Sequence, residues 1–185
     1  MGKVTRVTRG GKKNSVVLPP KLWQHMIDST SVRGHSQAAG ARGGLIRRLL
    51  VDRAAAARLL PLYTPAHEPE EVLADLEVEI IPELPLGVVL LGMGADMHTA
   101  SLFPGADGLA EALAPDASPA VAISAPDAGE ARVTLSVPVL AAAERHILIQ
   151  GADKREALRR AVEIANPLCA PICAVLDGAV VHYAD

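Results

Sequence analysis

The stretch Leu90-Leu91-Gly92-Met93-Gly94-Ala95-Asp96-Met97-His98-Thr99-Ala100-Ser101-Leu102-Phe103-Pro104-Gly105 gathers the residue types that do chemistry. His98 is a base that works near neutral pH, and Asp96 is a carboxylate two residues upstream of it. Gly92 and Gly94 carry no Cβ, so a ligand can approach the backbone closely. Thr99 or Ser101 can cap a short helix that starts near Thr99. The free N–H groups of such a helix start suit an anion or a developing oxyanion. Asp is also an ordinary turn residue, so Asp96 stands open between a turn former and a partner of His98. His35, His67, His146 and His182 lack any such context and read as surface or structural groups.

A base in a glycine-rich turn needs a rigid strand before it. Leu86 to Leu91 is a continuous apolar run, the mark of a strand buried on both faces. In open α/β sheets, ligands bind beyond the carboxyl ends of such strands. Further strands are expected at Ala120–Ile123, Val133 to Leu135 and His146 to Ile149. Gly151 then marks a turn, and Lys154 to Ile164 an amphipathic helix. Ile172 to Leu176 and Val180 to Tyr183 flank Asp177-Gly178, the pattern of a β-hairpin. Upstream, Leu45, Ile46, Leu49, Leu50, Ala54, Ala57 and Leu60 recur near a helical period, so residues 38–60 are expected to be helical. Residues 68–80 form a second, acidic helix candidate with Pro69 in its first turn. Val16-Val17-Leu18 reads as a short strand that Pro19-Pro20 ends. The acidic, Pro/Ala-rich stretch 114–130 reads as a surface loop with one short strand. Strands alternating with helices give an α/β fold with a mostly parallel sheet.

A chain of 185 residues suits a single domain that buries its core without disulfides or metals. Hydrophobic residues at 50% against 21% charged exclude a disordered chain. Aromatics are only 2%, namely Trp23, Tyr63, Phe103 and Tyr183, too few for a single-stranded nucleic-acid platform. Charge is laid out unevenly. Residues 1–58 hold 12 Lys+Arg against Asp28 and Asp52, while residues 59–131 hold 13 Asp+Glu and no Lys or Arg. A basic arm suits an anionic partner. Without aromatics or a recognition motif, however, no nucleic acid is expected. No apolar run approaches the roughly 18 residues of a membrane span, and residues 1–25 lack the apolar core of a secretory signal. Cys169 and Cys173 lack the spacing of a zinc or redox pair and read as ordinary buried thiols of a reducing cytoplasm. No His/Cys/Asp cluster has metal-ligand spacing, so neither a metal nor another cofactor is expected.

The block ending at Gly105 resembles the signature of 6-phosphogluconolactonases, Leu-Gly-x-Gly-x-Asp-Gly-His-Thr-Ala-Ser-Leu-Phe-Pro-Gly. The one departure is Met97, where the family usually has Gly. It narrows the backbone choices at the turn without removing the chemistry. Arg132-Val133-Thr134-Leu135-Ser136 is similar to the family's Arg-hydrophobe-Thr-Leu-Thr strand, and Gly151-Ala152-Asp153-Lys154 to its Gly-x-x-Lys turn. Pro171-Ile172 and the closing hairpin match the family's C-terminal end. Arg47 to Glu71 resembles its helix and following loop. The resemblance covers roughly residues 33–184 and is strongest from residue 86 onward.

What the resemblance implies is specific. The fold is α/β, a mostly parallel open sheet flanked by helices, NagB/RpiA-like (Rossmann-like). The enzyme is cytoplasmic and hydrolyses 6-phospho-D-glucono-1,5-lactone to 6-phosphogluconate in the oxidative pentose phosphate pathway. His98 takes a proton from water as it attacks the lactone carbonyl and later assists departure of the ring oxygen. Asp96 orients His98 or shapes the loop. Backbone N–H groups near Gly94 and Thr99 stabilise the oxyanion. Lys154 binds the 6-phosphate, with Gly92 and Arg132 also on the substrate side. A lactone is already an activated ester, so no metal is implied. Read alone, Lys154 fits a solvated charge and Arg132 an ion pair at a strand edge. The His-Thr-Ala-Ser-Leu-Phe-Pro block favours the lactonase over an amino-sugar isomerase on the same fold.

Residues 1–32 depart from the family. No Ser/Gly-Gly-Ser/Thr phosphate loop follows a strand, since Arg9-Gly10-Gly11-Lys12 precedes Val16-Val17-Leu18. The family's Asp-Glu-Arg-aromatic-Val strand end, whose Arg holds the phosphate, has its nearest counterpart in Asp28-Ser29-Thr30-Ser31-Val32. Arg33 or Arg42 would have to substitute. The expectation is a divergent segment 1–32 before an α/β domain over 33–185, with a sheet incomplete on its N-terminal side. A catalytically impaired sugar-phosphate-binding remnant is the alternative.

Overall fold

In the computed structural model, residues 3–6, 25–27, 60, 62, 69–125 and 132–184 are described. The apolar run expected near residue 86 forms strand β3 (Val88–Gly92), whose Val89 and Leu91 are buried. Its parallel neighbour is β6 (Glu144–Gln150), with Val88 opposite Glu144 and Gly92 opposite Leu148. On the far side of β6 lies β7 (Val180–Ala184), again parallel. The outer strands are β1 (Lys3–Arg6), antiparallel to β7, and β2 (His25–Ile27), parallel to β3. The order is therefore β1-β7-β6-β3-β2, and all but one of its pairings are parallel. Both outer strands come from residues 1–32. A separate antiparallel pair joins β4 (Ala120–Ile123) to β5 (Arg132–Leu135).

Helices cover the sheet where their small or apolar faces allow. The acidic helix expected over 68–80 is a 3-10 turn at Pro69–Val72 running into α1 (Leu73–Ile80), which buries Leu76 and Ile80. Next come α2 (Leu109–Leu113) and α3 (Val137–Ala142). Helix α4 (Ala152–Ile164) follows β6 directly and buries Ala157 and Ala161 completely. Two alanines on the buried stripe let the helix axis come close to the sheet. A short helix, α5 (Cys173–Leu176), precedes β7. One continuous core runs from Val89, Leu91, Ile147 and Ile149 of the sheet to Ile172 and Val175, and on to Leu109, Val121 and Ile123. Each fully buried Ile or Leu in it contributes about 2 kcal/mol of transfer free energy.

Three expectations are corrected. The hairpin around Asp177-Gly178 does not form, because Ile172, Val175 and Leu176 lie on one turn of helix and β7 pairs in parallel with β6. Their i, i+3, i+4 spacing suits a helix as well as a short apolar run suits a strand. Gly178, with φ 74°, makes only the turn from α5 into β7. No helix starts near Thr99. Ala100 takes φ 51°, which breaks helical continuity, and the next helix waits until Leu109. Cys169 is exposed instead of buried, because it sits on a turn whose N–H reaches Asn166 O; Cys173 is half-buried with its thiol on Ala161 O. Helix α3 was not expected, although Ser136 followed by Pro138 in the first turn is a helix-start signal. The helix expected over 38–60 (Leu60 apart) and the strand at Val16-Val17-Leu18 lie outside the described residues. Among the described residues, no helix is long and apolar enough to cross a membrane.

Candidate active site

Strand β3 delivers the chain to a loop at its carboxyl end, where Gly92 closes the register with Leu148. The loop folds on itself. Met97 N–H donates to Gly94 O at 3.0 Å, and Gly94 N–H to His98 O at 3.0 Å. The Thr99 hydroxyl, fully buried, donates back to Gly92 O at 2.9 Å. Met97 adopts φ 70°, a conformation that favours glycine, at the position where the resemblance expects Gly. An outside clasp holds it: Ile172 N–H donates to Met97 O at 3.1 Å. Pro171-Ile172 thus has a physical task in the site.

This folding brings Asp96 and His98 together. Asp96 Oδ1 lies 2.5 Å from His98 Nδ1 and also accepts the His98 backbone N–H at 3.3 Å. Partial burial pushes the Asp96 carboxyl up, but the hydrogen bonds and charge interaction with His98 outweigh it, so the carboxyl titrates below its ordinary value. A Cβ on Gly94 would overlap both the Asp96 carboxylate and the His98 ring. Gly94 is therefore required by the pair itself.

Phe103, the chain's single phenylalanine, joins the constellation. Its ring centroid lies 4.5 Å from that of His98, and the Arg132 guanidinium sits 5.4 Å over the same ring. Arg132 opens β5, and the adjoining Thr134 hydroxyl accepts Ser101 N–H at 3.3 Å, which ties β5 to the loop. Lys154 lies in the first turn of α4, beyond the carboxyl end of β6. Since β3 and β6 are parallel neighbours, Lys154 and the His98 loop leave the same edge of the sheet. The Lys154 side chain makes no hydrogen bond or ion pair among the described residues.

Of the expected site residues, Asp96, His98 and Gly94 converge directly, and Arg132 is linked to them through Phe103. Gly92 and Thr99 bond each other and serve the loop. The N–H groups of Gly94 and Met97 are committed inside the loop, so an oxyanion would not draw on them. Phe103 and Arg160 were not singled out as site residues. Phe103's signal was its rarity inside the motif. The contact of Arg160 with Ala95 O, 3.3 Å long, depends on tertiary packing and leaves no sequence signal. Among the described residues no group of three or more His, Cys, Asp or Glu side chains could hold a metal ion.

The model of the family described as glucosamine-6-phosphate isomerases/6-phosphogluconolactonase matches residues 35–182. The chain belongs to this family. A family member from Pseudomonas aeruginosa named 6-phosphogluconolactonase is 42% identical over 151 residues, covering 78% of this chain and 63% of the relative. A Mesorhizobium japonicum protein of the same name is 41% identical over 158 residues, 83% of this chain and 65% of the relative. The chain thus spans less than two thirds of these relatives' length. A crystal structure of a 6-phosphogluconolactonase from Shewanella baltica superposes with a TM-score of 0.72 at 28% identity, over 82% of this chain and 68% of that one. The NagB/RpiA-like α/β fold of the family is the fold observed here.

Proposed function

We propose that this chain hydrolyses 6-phospho-D-glucono-1,5-lactone to 6-phosphogluconate, the lactonase step of the oxidative pentose phosphate pathway, in the cytoplasm. The observation that carries the proposal is the Asp96–His98 pair at the carboxyl end of β3. The names of the relatives support it, and favour the lactonase over the isomerase branch. Asp96 on Nδ1 leaves Nε2 to accept a proton. His98 Nε2 takes a proton from water while the water oxygen adds to the lactone carbonyl. The tetrahedral oxyanion then collapses, the bond from that carbon to the ring oxygen breaks, and His98 returns its proton to the departing oxygen. Water's second proton stays on the new carboxylic acid and is released to solvent, so the products are a carboxylate, a free hydroxyl and one proton, and no electron leaves the system.

Lys154 and Arg132 supply positive charge for the 6-phosphate. Lys154 acts as a flexible point charge, while Arg132 is held on Phe103. The divergence of residues 1–32 keeps one second reading, a sugar-phosphate binder with impaired turnover. Acid release from freshly made phosphogluconolactone, measured above spontaneous hydrolysis, separates the two. Turnover supports the lactonase, whereas saturable phosphogluconate binding without turnover supports the binder.

A further inference from the structure

We propose that Arg160 is a positioning residue for His98, acting through the Ala95 carbonyl and Asp96. Most of the loop's hydrogen bonds are made by backbone or by its own Thr99. Two side chains reach it from other elements: Thr134 of β5 accepts Ser101 N–H, and beside Asp96 the Arg160 guanidinium of α4 donates to Ala95 O at 3.3 Å. The Ala95 carbonyl and the Asp96 N–H share one rigid peptide plane. Holding that oxygen holds the plane from which the Asp96 side chain departs. Ala95 and Asp96 are both exposed, so packing does little to fix them.

The anchor itself is firm. Ala157 and Ala161, on either side of Arg160 in sequence, are fully buried and seat α4 on the sheet. The neighbouring carboxylates Glu156 and Glu163 are both paired with Arg159. Helix α4 also carries Lys154, the proposed phosphate contact, in its first turn. One rigid element therefore sets both the phosphate end of the site and the carboxylate behind the base. Because the Arg160 contact is exposed, it adds little to stability, and its effect falls on the geometry of the Asp96–His98 pair.

The activity arm of the test rests on the lactonase reading; the titration arm does not. Carbon-13 NMR of the Asp96 carboxyl in the full chain compares wild type, Arg160→Ala, Arg160→Lys, Arg159→Ala and His98→Ala. His98 contacts hold this carboxyl low, and Arg160 is not among the groups that do so directly. The expected result is an Asp96 midpoint that rises in Arg160→Ala toward that of His98→Ala. Arg160→Lys keeps the wild-type value, and so does Arg159→Ala, which removes equal charge from the same helical turn. In the lactone assay, Arg160→Ala lowers kcat about tenfold and leaves KM within about twofold, as misplacement of a catalytic group does. Added to Asp96→Asn, it has no further effect. An unchanged Asp96 midpoint in folded Arg160→Ala overturns the proposal, as does a multiplicative loss in the double variant. Absence of wild-type turnover would count against the lactonase reading alone, and the titration would still decide the role of Arg160.

Discussion

A hydrogen bond of 2.5 Å between Asp96 and His98 is the shortest path from this sequence to chemistry. The carboxyl titrates below its ordinary value, which fixes the sign of its pH dependence. The stability contributed by the pair is fully present above the unfolded carboxyl pKa, near 3.8, and is lost as pH falls through the lower folded value. Acid-unfolding curves of wild type and Asp96→Asn should therefore differ at pH 5 to 6 and converge in strong acid. Gly94→Ala tests the same pair from the other side. Its Cβ would occupy the space of the carboxylate and the imidazole, so lactone turnover should fall about as far as in His98→Ala, a hundredfold or more by the usual worth of general base catalysis. Met97 presents a balance of small terms. Relief of its left-handed backbone in Met97→Gly gains about 1–2 kcal/mol. Lost packing of a half-buried side chain and added chain entropy return a similar amount. Met97→Gly should be neutral within about 1 kcal/mol in urea denaturation, while Met97→Val, β-branched at φ 70°, should lose about 2 kcal/mol or more.

Elements that announce themselves by long patterns were legible in the sequence, and those decided by partners were not. β3, β4, β5, β6 and α4 fall where apolar runs and helical spacing put them, within about two residues. Ile172 to Leu176 did not, because a five-residue apolar run has no period of its own. Contact with Met97 O and with the core made it helix. The Thr99 region failed for a related reason. Its hydroxyl found a buried partner in Gly92 O, and that tertiary bond displaced the capping role. The same logic made Asp96 and His98 readable, being two residues apart, and left Arg160 unreadable, being 65 residues from its partner. A prediction belongs to this scale. Ala161→Leu would wedge α4 away from β6, at a cost of about 1–3 kcal/mol in thermal or urea unfolding. It would also move Lys154 and Arg160 together, so KM and kcat should worsen in one step.

Across the whole molecule, charge is segregated in sequence and reunited at one edge of the sheet. Residues 59–131 carry the proposed base but no Lys or Arg. In the proposed reaction, positive charge for the substrate comes from Arg132 and Lys154 of the later elements, with the basic first third lying almost entirely outside the described residues. A dianionic phosphate captured by such half-exposed cations should show a KM that rises with ionic strength while kcat holds. The family to which the chain belongs is described as glucosamine-6-phosphate isomerases/6-phosphogluconolactonase. Beyond membership, the proposed function assigns the hydrolysis to His98, oriented by Asp96. The most direct measurement is acid release from freshly prepared 6-phosphogluconolactone by wild type and by folded His98→Ala, each corrected for the spontaneous rate. Catalysis by the wild type should fall by about a hundredfold or more in the variant, as the role of His98 requires. Equal rates in the two proteins would contradict it.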